Sequence, residues 1–362
     1  MSVLKLKTLL VVADASLVVL SMSKTATATT FNPSPIFTDV TSYTTNISTT
    51  NDVADIYFPN PSNLKTNNYS FPIALLLQGA NVDKSDYSNY ASTVARYGFV
   101  VVVPNNERTL SPLGKGLFSE TEQINAVLAQ MRTENSNSNS PVAGIVNTQK
   151  LGLLGHSFGG GVGLSAIADV CLPRFCSSPT TLPTEVVAGV FYATGLARTP
   201  NVLPVEYIPI NNSGIPVALL KGTLDGIIPP FITDGTYENI QNPPKTLITL
   251  TGANHYGITN TNNPPGPFPD RNTPTIPQEV AIETLARWSG LFLRASILND
   301  KDAFNYVYFT GDATDPNVTV ISERVPESAP TVALFGLGIA RVIITQLQKV
   351  TNKSKHHNNP SC

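Results

Sequence analysis

"KLGLLGHSFGGG", residues 150–161, is the stretch whose reading decides the fold. A short apolar run leads into Gly155-His156-Ser157-Phe158-Gly159, a G-x-S-x-G pattern, and continues into the small-residue sequence "GGGVGLSAIA" (159–168). This order predicts a strand, a sharp turn and a tightly packed helix, with the serine at the turn. Flanking glycines suit the unusual backbone angles and the close strand–helix approach that such a turn imposes. Ser157 is thereby lifted above a sheet edge at a helix N-terminus, where developing negative charge is favoured.

Working outward, five more apolar runs have the same character: "FPIALLLQG" (71–79), "GFVVVVP" (98–104), "EVVAGVFYA" (185–193), "IPVALLKG" (215–222) and "KTLITLTG" (245–252). Continuous rather than alternating apolar runs suit strands buried on both faces. "NDVADIYFP" (51–59) and the segment near Tyr43 read instead as antiparallel edge strands. Between the runs lie helical patterns. Tyr87, Tyr90, Ala91 and Val94 share a face closed by Gly98. Ser119-Glu120-Thr121-Glu122 has the form of a capping box ahead of Ile124, Val127, Leu128 and Met131. Pro277 suits the start of a long helix carrying Ile282, Leu285, Ala286, Trp288 and Leu293. The alternation predicts an α/β fold: one domain with a mainly parallel central sheet and helices on both faces.

A serine hydroxyl needs a base before it can attack. The chain has four histidines. His156 adjoins Ser157 within the turn, where its side chain should point away, and His356 and His357 lie in the tail. That leaves His255, in "TLTGANHYGITN", just past the last predicted parallel strand and on the sheet edge where ligands bind in such folds. The carboxylate to orient it is Asp225, after the preceding strand in "ALLKGTLDGIIPP"; Asp234 lies farther along and is less well placed. The order Ser157, Asp225, His255 is that of the α/β-hydrolases. The oxyanion hole then calls for two backbone N–H donors: Phe158, directly after the nucleophile, and Ala80, with Asn81 as the other choice on the same loop. Gly79 would let that loop approach the substrate closely.

These residues carry a family resemblance. From about Phe37 to Glu323, "LLLQGANVDKSDYSNYASTVARYGFVVVVPNN", "GHSFGG", "KGTLDGIIPP" and "GANHYG" resemble the α/β-hydrolase branch containing chlorophyllases, platelet-activating-factor acetylhydrolases and cutinase-like polyester hydrolases. The resemblance implies the α/β-hydrolase fold, the triad and ester hydrolysis through an acyl-enzyme. Chlorophyllases usually carry arginine after the serine, so Phe158 departs from their pattern. The expected enzyme is a carboxylic-ester hydrolase needing no metal or organic cofactor. An acyltransferase with the same triad and an inactive scaffold used for binding are the rival readings. Asp300, Asp302, Asp312 and Asp315 match no calcium-loop spacing and read as solvated surface.

Only 13% of residues are charged and the net charge is −2, against about 25% charged in average proteins. That leaves no electrostatic footprint for nucleic acid. The scarcity of charge in the proline-rich stretches 171–184, 197–214 and 260–277 points to a neutral or lipid-like ester as substrate. Residues 1–28 read as an export signal, with Lys5 and Lys7 ahead of an apolar stretch and Ala26-Thr27-Ala28 offering a cleavage site. The catalytic domain is then 29–324. In 325–362, Val325-Pro326-Glu327, the apolar run Ala329–Leu347 and Lys349, Lys353 and Lys355 resemble a PEP-CTERM sorting signal, although Ser328 stands where proline is usual and Arg341 interrupts the run. That resemblance implies processing by an exosortase and a transient membrane anchor, hence a periplasmic, outer-envelope or extracellular location. Cys171 and Cys176 would form a disulfide in such a compartment, or remain two buried thiols.

Overall fold

Six of the apolar runs do pair side by side. In the computed structural model, residues 31–60, 69–198 and 203–324 are described, and the described residues from Pro33 to Arg324 belong to one compact unit. The expected export signal and sorting segment lie outside the described residues. The element order begins with β1 (Val40–Ile47), β2 (Asp52–Pro59), β3 (Phe71–Leu77), α1 (Ser88–Ala95) and β4 (Val100–Pro104). A small hairpin follows, β5 (Glu107–Leu110) and β6 (Gly114–Leu117), then α2 (Glu122–Ser136), β7 (Val146–His156) and α3 (Phe158–Ile167). The second half holds β8 (Val186–Tyr192), β9 (Val217–Gly222), α4 (Pro230–Glu238), β10 (Lys245–Leu250), α5 (Gln278–Ile297) and β11 (Val318–Glu323).

The large sheet runs β1-β2-β4-β3-β7-β8-β9-β10-β11. Its centre, from β4 to β10, is parallel; β1, β2 and β11 make antiparallel borders. Every residue of β3 and β4 is buried, as continuous apolar runs covered on both faces should be. One face carries α1 against α5, joined where Tyr90 Oη donates to Ser289 Oγ at 2.8 Å. The other is a core into which α2 sends Ile124, Val127 and Met131, α3 Val162 and Leu164, and α4 Tyr237. This is the α/β-hydrolase architecture.

Three local expectations change. The Ser119–Glu122 capping box does not form, because Ser119 is fully buried and its hydroxyl donates to the Gln78 carbonyl at 2.9 Å. The reciprocal bond is shifted by one residue, from Glu120 N–H to Gln123 Oε1 at 3.0 Å. Asp315 is not solvated surface: it is 6% exposed and accepts from Trp288 Nε1 at 3.0 Å and Arg287 Nη2 at 2.6 Å. Asp300 caps the short helix Lys301–Asn305 and pairs with Arg294. Finally, β11 and the β5–β6 hairpin are elements the apolar pattern did not mark.

Candidate active site

β7 ends at His156, and the chain turns at Ser157 with φ +52° and ψ −117°. Side chains other than glycine rarely hold that conformation, and such strain survives only where packing imposes it. Here it does. A Cβ at Gly155 would sit 2.8 Å from the Gly159 carbonyl oxygen, and one at Gly159 would strike the carbonyl of Leu77 on β3. The turn is tied down from the next strand: Ser157 N–H donates to Tyr192 O at 2.9 Å, and Thr194 Oγ1 donates to Ser157 O at 2.7 Å.

Asp225 and His255 arrive on the loops after β9 and β10, at the same carboxyl edge. Ser157 Oγ lies 2.8 Å from His255 Nε2, and His255 Nδ1 lies 2.9 and 3.0 Å from the two oxygens of Asp225. Both partners are buried, His255 at 2% and Asp225 at 4% exposed. Asp225 Oδ1 also accepts from the N–H groups of Ile227 and Ile228 at 2.9 and 2.8 Å. A carboxylate so held fixes the tautomer of the imidazole beside it, leaving Nε2 bare toward the serine. Asp234, the other carboxylate considered, pairs with Lys221 instead.

Phe158 and Ala80 line one cavity of about 200 Å³ with Ser157. Asn81 is not available as the second donor. Its N–H donates to Leu117 O at 2.7 Å, and its side-chain oxygen accepts from Leu117 N–H at 3.0 Å, so it clamps the loop to the β5–β6 hairpin. Gly79 also has a different role from the one expected. A Cβ there would meet His156 Nδ1 at 2.9 Å and Tyr87 Oη at 3.3 Å. Glycine is required by the side chains beneath the loop, not by a substrate above it.

The bonding roles of two groups escaped sequence reasoning. His156 does point away from Ser157, into a fully buried position where its Nε2 meets the His255 carbonyl at 3.0 Å and its Nδ1 meets Tyr87 Oη at 2.9 Å. A carbonyl only accepts, so Nε2 carries the proton and Nδ1 accepts from Tyr87. Tyr87 Oη in turn accepts from Gly79 N–H at 2.9 Å. Burial, reinforced by the neighbouring His255, keeps the His156 imidazole neutral, its pKa far below the usual histidine value. The chain of bonds thus links the loop of Ala80 to the backbone of His255. The second group is Asp270, 4% exposed. Its Oδ2 accepts from His255 N–H at 2.9 Å and Gly226 N–H at 3.1 Å, and its Oδ1 accepts from Asn272 N–H at 2.8 Å. One carboxylate therefore spaces the loops of Asp225 and His255. A lone acidic residue in the charge-poor stretch "NPPGPFPDRN" (263–272) was the available signal.

Of the three loops expected to shape substrate choice, two reach the cavity: Arg174 and Phe175 from the first, Ala197 from the second. Cys171 and Cys176 are joined by a disulfide, Cα to Cα 5.3 Å. Among the described residues no cluster of potential ligands could hold a metal ion, and no helix is long and apolar enough to cross a membrane.

Residues 25–173 match the model of the PETase family, described as PET hydrolase-like. No curated protein matches the chain. The matched stretch takes in the elbow and α3 and stops before the loops of Asp225 and His255. The sheet order is that of an α/β-hydrolase fold, and the match fits the polyester-hydrolase branch that the sequence resembles.

Proposed function

We propose that the protein is a serine carboxylic-ester hydrolase working through an acyl-enzyme, with Ser157 as nucleophile, His255 as base and Asp225 as its orienting acid. The observation that carries this reading is the continuous pair of contacts from Ser157 Oγ to His255 and from His255 to Asp225, on a strained elbow that opens into a cavity. His255 Nε2 takes the Oγ proton as Oγ bonds to the acyl carbon, and the carbonyl oxygen becomes an oxyanion. The N–H groups of Phe158 and Ala80 receive that charge. Collapse breaks the ester C–O bond, and His255 passes its proton to the leaving alcohol. Water then repeats the sequence on the acyl-enzyme, releasing the acid and restoring Ser157.

The cavity wall is largely apolar, with Phe158, Phe175, Ile228 and Ile232 facing the nucleophile. This supports esters whose acyl chain is apolar where it packs beside the scissile bond. Export is part of the proposal: a disulfide fits an oxidising compartment, as do the leader and sorting segment read from the sequence.

The test is hydrolysis of 4-nitrophenyl esters of increasing acyl length by the wild type and by Ser157→Ala. We expect kcat to fall by about 10⁵–10⁶-fold in the variant, with free acid as the main product even when alcohol is added. Equal rates for the two folded proteins would discard the serine mechanism. A new ester as main product would make the protein an acyltransferase.

A further inference from the structure

The disulfide between Cys171 and Cys176 closes a short loop that brings Arg174 and Phe175 to the wall of the cavity holding Ser157. Phe175 packs edge-on against Phe158 with ring centroids 5.0 Å apart, and the Arg174 guanidinium lies 4.6 Å over the Phe175 ring. The cation is thus stacked two rings away from the elbow. Its Nη2 donates to the Ala197 carbonyl at 2.7 Å, whereas its Nε is buried and meets no acceptor among the described residues.

Arg174 differs in this from the arginines beside it. Arg108 and Arg198 line the adjoining open cleft with it, yet each has a carboxylate partner: Glu120 at 3.3 Å and Glu206 at 3.1 Å. Arg108 also holds the Arg174 backbone, its Nη2 donating to the Arg174 carbonyl at 2.7 Å. No carboxylate pairs with Arg174 among the described residues. The internal segments outside them, 61–68 and 199–202, contain no Asp or Glu to supply one. A guanidinium cannot shed its charge, and a buried donor left without an acceptor is destabilising, more so when it is charged. Burial already works against this cation. An anion in the cavity would supply the countercharge that no neighbouring carboxylate provides, and a carboxylate fits the planar fork of an arginine best.

We propose that Arg174 is the anion-binding group of the substrate cleft, and that the preferred substrates are esters carrying a free carboxylate a few carbons from the scissile bond: half-esters of dicarboxylic acids. This rests on the serine-hydrolase reading above and narrows it. The apolar wall between Ser157 and Arg174 takes the methylene or aryl spacer. The guanidinium takes the far carboxylate, which undergoes no chemistry. The neutral substrate expected from the charge-poor loops becomes an ester that is neutral at one end only.

Monoethyl adipate and diethyl adipate share one acyl chain and differ only in the distal carboxylate, so they form the test pair for the full chain. We expect the wild type to prefer the half-ester by at least about tenfold in kcat/KM. Arg174→Gln should lower that ratio on the order of tenfold, mainly through KM, and Arg174→Lys should fall between the two. A ratio that is the same in the wild type and Arg174→Gln overturns the proposal. Binding supplies a second readout that needs no turnover. Monoethyl adipate titrated calorimetrically into Ser157→Ala should bind, and about tenfold more weakly once Arg174→Gln is added. Equal affinity in the two proteins also overturns it. If neither ester is hydrolysed but Arg174-dependent binding remains, the subsite stands and the hydrolase reading fails.

Discussion

Ser157 is held by backbone, whereas His255, 98 residues further along, is held by side chains. Around the serine, glycines let β7, α3 and β3 approach until no other residue fits, and a positive φ follows from the packing. Around the histidine there is a long loop with little regular structure. Its geometry comes from Asp270 on one side and His156 on the other. Steric positioning of the first kind tolerates almost no change of residue but needs few participants. The second kind recruits distant residues, each worth a modest amount, and spreads the task across the chain.

Three substitutions would break or sharpen this contrast, and the largest effect belongs to the elbow. Gly159→Ala drives a methyl into the Leu77 carbonyl, a backbone atom that cannot swing aside. We expect more than about 3 kcal/mol of destabilisation, visible as loss of soluble folded protein or a collapsed denaturation midpoint. A stable, active variant would mean that the elbow is not set by packing.

Asp270→Asn should leave the fold intact but turn an NH₂ group toward one of the backbone donors the carboxylate accepts from. His255 would shift against Ser157, and on the proposed mechanism a displacement of about 1 Å can cost about 10²-fold in kcat. Steady-state kinetics beside a denaturation curve separate the roles. A purely structural Asp270 would lower stability and leave kcat alone.

The smallest effect is on pH dependence. The folded state keeps His156 neutral, with its pKa lowered by burial, whereas in the unfolded chain it titrates near 6.5. Below that pH the unfolded state binds the extra proton, so stability is present above about pH 6.5 and is lost as pH falls. The slope from this one group reaches about 1.4 kcal/mol per pH unit. His156→Gln should lower stability at pH 7.5 yet flatten its decline toward pH 5.5, as read by chemical denaturation. An unchanged slope would show that His156 is solvated after all.

The same contrast explains what could be read in the sequence. The elbow was legible because its constraint is local: five consecutive residues carry it, and a strand and a helix flank it. The parallel strands were legible because burial on both faces leaves unbroken apolar runs. Asp225 and His255 could be chosen by position at strand ends. Asp270 could not, since nothing within a few residues distinguishes a carboxylate that accepts from backbone N–H groups 15 and 44 positions away. Tyr87 was read as one more apolar face residue, which it also is. The β5–β6 hairpin, "ERTLSPLGKGL", lacks an apolar run because most of it is exposed, and β11 alternates as a border strand and buries few of its side chains.

The path from Gly79 through Tyr87 and His156 to the His255 carbonyl has a consequence for how such a protein can change over time. Its members sit on separate segments, so a substitution at any one is felt at the others, and viable replacements must arrive together. The loop bearing Arg174 and Phe175 is closed on itself by the Cys171–Cys176 bond. Phe175 anchors it against Phe158, and its main chain is held by Arg108 on the Arg174 carbonyl and by Thr121 N–H on the Phe175 carbonyl. The Arg174 side chain can be exchanged without rewiring those main-chain contacts. Heritable variation in what the cleft accepts should therefore accumulate on this loop, while the wired path drifts slowly or as a block.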